Sequence, residues 1–261
     1  MTPEQLAAVG LRLDLDGPMA TVTLDRPDVR NAQTPAMWLA LGEIGRTLPD
    51  DVRVVVVTGE GETFSAGLDR AMLDPATAGQ ESVVGLLSLS DEAASARIEE
   101  FQQGFTWLRD PRFVSIARVR GYAIGAGFQL ALSCDLRILA DDAKFSMKES
   151  ALGLVPDLTG TKPLVEHVGY ARALEICATA RVVPADEAVR IGLAIASVPA
   201  DELDAVVADL VAALVAPMDG VVPETKALLQ GAAGRDLDGQ RRLEREAQVR
   251  RFRALAAPFD A

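Results

Sequence analysis

"GYAIGAGFQLALSCD", residues Gly121 to Asp135, is the stretch on which the fold turns. Small residues and glycines lead straight into an apolar segment, the pattern of a strand that ends in a tight turn and opens a helix. Within that helix stands an uncharged amide, Gln129. Backbone N–H groups at a strand-to-helix turn point outward, and the helix N-terminus adds partial positive charge. Such a turn holds developing negative charge without any side chain. A second turn of the same kind, "TFSAGLDR" from Thr63 to Arg70, lies upstream. Two of them together make one oxyanion hole, whereas a single one reads more plainly as glycine permitting a corner.

The surrounding chain supplies strands and helices in a repeating order. "LRLDLDG" and "MATVTLD", separated by Gly17 and Pro18, alternate as a hairpin does. Apolar residues from Asn31 to Leu48 recur at helical spacing, with Asn31 or Thr34 as the N-cap. "VRVVVVTG", Val52 to Gly59, is a nearly continuous β-branched run, the mark of a strand buried on both faces. "FVSIARVRG" precedes the opening stretch and "LRILA" follows it, each apolar and strand-like. The result is strand, strand, helix, repeated with irregular loops rather than strict βα alternation.

Asp74 to Glu100 is acidic and weakly periodic, and reads as a solvated helix and loop or as a lid over a pocket. From Ala200 onward the chain reads as helices ending in "GQRRLEREAQVRRFRALAAPFDA", whose interleaved charges suit a solvated or subunit-facing surface. Val206, Val207, Leu210 and Leu214 fit poorly on the surface of an isolated tail and call for a partner face. The chain therefore divides into a core over 1–199 and a C-terminal helical region over 200–261.

Composition narrows the function. A chain of 261 residues with 49% hydrophobic and 25% charged side chains buries a large core. It has no apolar run long enough to span a bilayer and no start resembling a signal peptide, so a cytoplasmic, soluble protein is expected. A net charge of −12 disfavours a broad electrostatic hold on nucleic acid or an anionic membrane. Cys134 and Cys177 are spaced for neither a metal knuckle nor a redox pair, and His167 is the single histidine. No metal site is expected, and His167 reads as a satisfied or solvent-facing helix residue. A nucleophile elbow needs Gly two residues before Ser65, where Thr63 stands. A dinucleotide fingerprint needs Gly at the place of Leu130.

"RPDVRNA" (Arg26 to Ala32), "FSAGLD" (Phe64 to Asp69), the Gly121 to Ile138 stretch and "GLVPDLTGT" (Gly153 to Thr161) occur together in this order. In order and spacing they resemble the enoyl-CoA hydratase/isomerase (crotonase) family over nearly the whole chain. The resemblance implies an α/β fold, a spiral of ββα turns with a C-terminal helical oligomerisation region, assembled as trimers or dimers of trimers. It also implies a CoA thioester substrate, no separate cofactor, and an enolate whose oxygen is held by the backbone N–H groups of Leu68 and Ala126. Hydratases of the family carry a Glu at the position of Gln129 and another twenty residues later, here Glu149.

Adding water across a double bond needs one group to activate the water and one to deliver a proton, and an amide cannot take a proton. Shifting a double bond needs one carboxylate, which Glu149 supplies. The resemblance thus favours isomerisation, with a hydratase relying on Glu149 and a non-catalytic acyl-CoA binder as the alternatives. Asp157 matches a position where some isomerases of the family place a working Asp; otherwise it forms a turn or caps the next helix. Glu149 reads as the catalytic carboxylate, against a surface salt bridge to Lys148 or Arg137. The resemblance places CoA near Arg30, Ser65, Ala66 and Asp69; the tail lacks the family's basic ending, and Arg250, Arg251 and Arg253 are the substitutes for holding the phosphates, against an ordinary solvated helix face as the commoner reading.

Overall fold

The computed structural model describes residues 1–74 and 82–256. Part of the acidic segment read as a solvated helix and loop or as a lid, and the last residues of the tail, fall outside them. The strands are β1 (Leu11–Asp16), β2 (Met19–Leu24), β3 (Val54–Gly59), β4 (Val114–Val119), β5 (Tyr122–Ile124), β6 (Leu136–Ala140), β7 (Lys144–Ser146), β8 (Val183–Pro184) and β9 (Ala196–Val198). The first helices are α1 (Pro3–Ala8), α2 (Pro35–Thr47), α3 (Asp91–Thr106), α4 (Ala126–Ser133) and α5 (Thr161–Val168). They are followed by α6 (Tyr170–Thr179), α7 (Ala185–Arg190), α8 (Leu203–Val215), α9 (Val221–Leu229) and α10 (Leu237–Ala256).

Two sheets share the strands. The larger runs β1-β2-β3-β4-β6-β9 and the smaller β5-β7-β8. β1 and β2 form the expected antiparallel hairpin, with Leu11 opposite Leu24, and the larger sheet is parallel from β2 onward. β4 and β6 lie in the larger sheet while β5 and β7 lie in the smaller. The β4–β5 and β6–β7 pairs thus each give one strand to each sheet before the next helix begins, whereas β1 and β2 both stay in the larger sheet.

The valine run of β3 shows why the strand needs no polar alternation. Val55 and Val57 face the main core with Met37, Leu41 and Phe105, while Val54 and Val56 face a second core with Ile116, Ile138, Leu203 and Val207. Successive side chains of a strand point to opposite faces, so a strand covered on both faces must be apolar throughout. The second cover is α8. Val206, Leu210 and Leu214 of that helix pack against the same cluster. Their apolar character is explained by the chain's own sheet and needs no neighbouring subunit.

The C-terminal helices are also pinned to the core by a buried cation. Lys226 of α9 is 8% exposed, and its Nζ donates to the carbonyls of Asp110 and Phe113 and to Asp135 Oδ2, all within 2.7 Å. Asp135 ends the opening stretch and also accepts from the Ser115 N–H and hydroxyl. Three oxygens around one ammonium offset its lost hydration. Arg137 is a second buried cation: it donates to the carbonyls of Leu193, Ala131 and Cys134 and meets His167 Nε2 at 2.8 Å. Burial and the neighbouring Arg137 push the His167 pKa down to about 4, which leaves the ring neutral near pH 7. His167 is a satisfied structural residue.

Candidate active site

The parallel pairing of β5 with β7 aligns two chain segments at one edge. Ile124 stands opposite Ser146, and the Gly125 N–H donates to the Ser146 carbonyl at 2.8 Å. Immediately beyond, Ala126 opens α4 and Glu149 opens a 3-10 turn over Glu149–Leu152. The two are neighbours in space: a Cβ built on Gly125 would stand 3.4 Å from Glu149 Oε1.

The upstream turn docks on the same edge. Ser65 bridges Ala123 in parallel fashion, and Gln33 bridges Leu68. In that second bridge the Gln33 N–H donates to the Gly67 carbonyl and the Asp69 N–H donates to the Gln33 carbonyl. Leu68 lies between them, and its own N–H donates to nothing among the described residues. The Ala126 N–H, first in its helix, is equally free of a backbone acceptor. Gly67 explains how the turns approach so closely: its φ is +86°, and a Cβ there would lie 2.4 Å from the Ile124 carbonyl oxygen and 3.5 Å from Ala126 N. Two free donors on facing turns can hold one oxyanion.

Beside them Glu149 is 9% exposed. Its Oε1 accepts from Gln129 Nε2 at 2.7 Å, while its Oε2 is buried without a hydrogen-bond partner among the described residues. Burial raises its pKa, opposed by a backbone bond and the Gln129 amide and reinforced by the charge of Asp157. Lys148 and Arg137 make no ion pair with it; Lys148 donates instead to the Ala180 carbonyl. A buried carboxyl with raised pKa and one open oxygen is suited to accept and return a proton.

Gln129 lies wholly inside the protein. Its Oε1 accepts from the Leu158 N–H at 2.9 Å and the Gly160 N–H at 3.2 Å. Asp157 adjoins these on the same loop; the residue keeps an exposed surface, but partial desolvation of its carboxyl raises its pKa, and its carbonyl accepts from Gln102 of α3. The helix that follows has Gly160 at its N-cap and no side-chain cap. Asp157 therefore does not cap α5.

The residues expected around a nucleotide take varied places. Arg30 is exposed with φ 55°, makes no ion pair among the described residues, and its carbonyl accepts from the Ala66 N–H. Ser65 is fully buried; its hydroxyl donates to the Asn31 carbonyl and accepts from Gln33 Nε2 and the Gly67 N–H. Asp69 is paired with Arg26 at 3.0 Å and accepts from the Ala71 N–H. Ser65 and Asp69 thus shape the turn from within. Arg250 is held by Glu224, and Arg251 donates to the Asp219 carbonyl.

Two supports escaped the sequence reading. Of the two residues offered as the helix cap, Thr34 caps α2, while Asn31 has φ 54° and ties the Arg26 N–H to the carbonyls of Glu60 and Thr63. Its signal was the tolerance of Asn for left-handed backbone. Gln33 accepts from Trp38 and donates to Ser65, a link no spacing rule predicts. Among the described residues no cluster of three or more His, Cys, Asp or Glu is placed to hold a metal, and no helix is long and apolar enough to cross a membrane.

A family model described as enoyl-CoA hydratase/isomerase matches residues 15–256. The chain is 33% identical over 194 residues to a Mycobacterium tuberculosis protein assigned as an enoyl-CoA hydratase, covering 73% of this chain and 69% of that one. It is 32% identical over 201 residues to the crotonyl-CoA hydratase of Syntrophomonas wolfei, covering 76% and 72%. A Thermobifida fusca protein assigned as an enoyl-CoA hydratase, solved with acetoacetyl-CoA, superposes with a TM-score of 0.93 at 53% identity over 97% of this chain and 98% of that one. The same Thermobifida fusca protein has also been solved with CoA.

Proposed function

The chain belongs to the enoyl-CoA hydratase/isomerase family, an enzyme family acting on CoA thioesters, and from that premise we propose that it moves a C=C bond within an enoyl-CoA. Glu149 Oε2 removes a proton from C2 of a 3-enoyl thioester. The electron pair flows onto the thioester oxygen, where the N–H groups of Leu68 and Ala126 hold the dienolate. Glu149 then returns the proton to C4, giving the 2-enoyl thioester with no net change in atoms. CoA itself lies along the Arg30, Ser65, Ala66 and Asp69 turn, with contacts made mainly by backbone groups and Arg30.

The observation that carries this reading is the state of Gln129. Both lone pairs of its oxygen receive backbone N–H groups, so it has no acceptor left for a water proton. A second reading, hydration, is favoured by the names of the relatives and by Asp157, whose charge reaches Glu149. Incubation with 3-enoyl-, 2-enoyl- and dienoyl-CoA separates them by mass, since hydration alone adds a water. Conversion of 3-enoyl-CoA without mass change is expected. Faster gain of water by 2-enoyl-CoA hands the reaction to the hydratase reading.

A trimer or dimer of trimers belongs to the same proposal. α8 is used up on its own sheet, but Leu229, Leu237, Phe252 and Leu255 on α9 and α10 remain more than half exposed. Exposed apolar side chains in such number suit a subunit contact. Light scattering at micromolar concentration is expected to give a multiple of three chains, and a monomer mass removes the idea.

A further inference from the structure

The loop after Glu149 contains a backbone anomaly that the proposed reaction does not use. Thr159 has φ 69°, in the left-handed region that a β-branched side chain seldom adopts. It is flanked by Leu158 and Gly160, the two residues whose N–H groups both point at Gln129 Oε1. Gly160 is also pressed onto Gln129, since a Cβ there would lie 2.7 Å from Gln129 Cγ. One buried amide therefore grips the turn on both sides of its strained residue.

That grip fixes the amide. An oxygen accepting two backbone N–H bonds cannot trade places with the NH2 group, because two donors would then face two donors. Nε2 must point at Glu149 Oε1, where the 2.7 Å bond is found. An oxygen that accepts this bond is the carbonyl oxygen whenever Glu149 is protonated, and the proton then belongs to Oε2, the oxygen without a partner.

We infer that Gln129 is a positioning residue: locked by the 158–160 turn, its amide confines the Glu149 proton to Oε2 and couples that oxygen to the turn bearing Asp157. The inference rests on the reading of Glu149 as the base. Removal and return of a proton by one fixed oxygen suits transfer between two carbons on one face of a planar dienolate. It also gives Gln129 a purpose that is not the remnant of a lost acid.

The test compares Gln129→Met, which keeps length but removes both bonding functions, and Gln129→Glu, which keeps an acceptor for the turn but puts a second carboxyl where the amide now lies 2.7 Å from Glu149 Oε1. The Glu149 titration is read by carbon NMR of ligand-free protein labelled at glutamate, with its resonance identified by loss in Glu149→Gln. The midpoint is expected to rise by about one pH unit in Gln129→Met, which loses the donor to the carboxylate. It should rise further in Gln129→Glu, through like-charge repulsion. The acid limb of C2 proton exchange should move with it while the KM for the thioester stays put.

Adding Thr159→Gly to Gln129→Met should recover thermal stability without restoring the midpoint, which separates support of the turn from control of the proton. Should Gln129→Met not fold, Gln129→Glu carries the test. Unmoved midpoints in the folded variants, or a slower exchange with an unmoved acid limb, overturn the inference. The titration needs no turnover. A wild type inert toward every enoyl-CoA removes the proposed function, while the NMR midpoints still decide the role of Gln129.

Discussion

Glu149→Gln is expected to slow proton exchange at C2 of a bound enoyl-CoA by about 10²- to 10⁴-fold, the range general-base removal commonly produces. The replacement has the same length and still offers an oxygen to Gln129 Nε2, so the 2.7 Å link is kept and the turn beyond it stays in place. What disappears is the basic oxygen. Affinity for the thioester should barely change, so the loss falls on kcat and kcat/KM together, the signature of an interaction used in the transition state. Deuterium incorporation followed by mass spectrometry measures it directly. Undiminished exchange in the variant would sink the assignment of Glu149.

The direction of the pH dependence follows from the same carboxyl. Exchange needs its ionised form, and burial, with Asp157 behind it, holds the pKa above the usual carboxylate range. Activity is therefore full above that raised pKa and is lost as pH falls through it. The acid limb belongs above the range of an ordinary surface glutamate.

Much of the geometry of the candidate site was legible in the sequence because it depends on local pattern. The strand-to-helix turns at Gly67 and Gly125 announce themselves through small residues between apolar runs, and Gln129 and Glu149 fall into register once the family is recognised. The hairpin and the buried strand at Val54–Gly59 follow from alternation and its absence. The parts that could not be read depend on partners far away in sequence. The apolar residues of α8 have the same pattern whether the facing surface is another chain or, as found, Val54, Val56 and Ile138 of their own. Likewise the letters of Asp157 fit a turn or a helix cap as well as a site residue, and the uncapped Gly160 removes only the cap. Ser65 is the subtler case: its place in the motif is plain, but the motif cannot say that its hydroxyl is spent on Asn31, Gln33 and Gly67.

Gly67→Ala is expected to cost about 10²- to 10³-fold in kcat, comparable to removing an oxyanion donor outright, although the substitution adds a single methyl group. At φ +86° an alanine is strained, and its Cβ would fall 2.4 Å from the Ile124 carbonyl oxygen, which belongs to the backbone and has no rotamer to yield. Relief requires the 67–68 turn to draw away from β5, and with it the Leu68 N–H from the Ala126 N–H. A dienolate oxygen then meets one donor well and the other poorly. Strain alone must be separated from this displacement, and Gly17→Ala does so: its φ is +53° but nothing lies within 4 Å of the new Cβ, and it sits in the distant hairpin turn. Both variants should lose about 1–2 kcal/mol of stability from the left-handed backbone. Only Gly67→Ala should lose rate, at a temperature where circular dichroism shows each folded. Calorimetry with a saturated acyl-CoA should find binding weakened as well, because the backbone contacts to CoA belong to the same turn, so kcat at saturating thioester is the readout. Retention of the full exchange rate by folded Gly67→Ala would mean that the developing charge is held elsewhere, and the pairing of Leu68 with Ala126 would have to be given up.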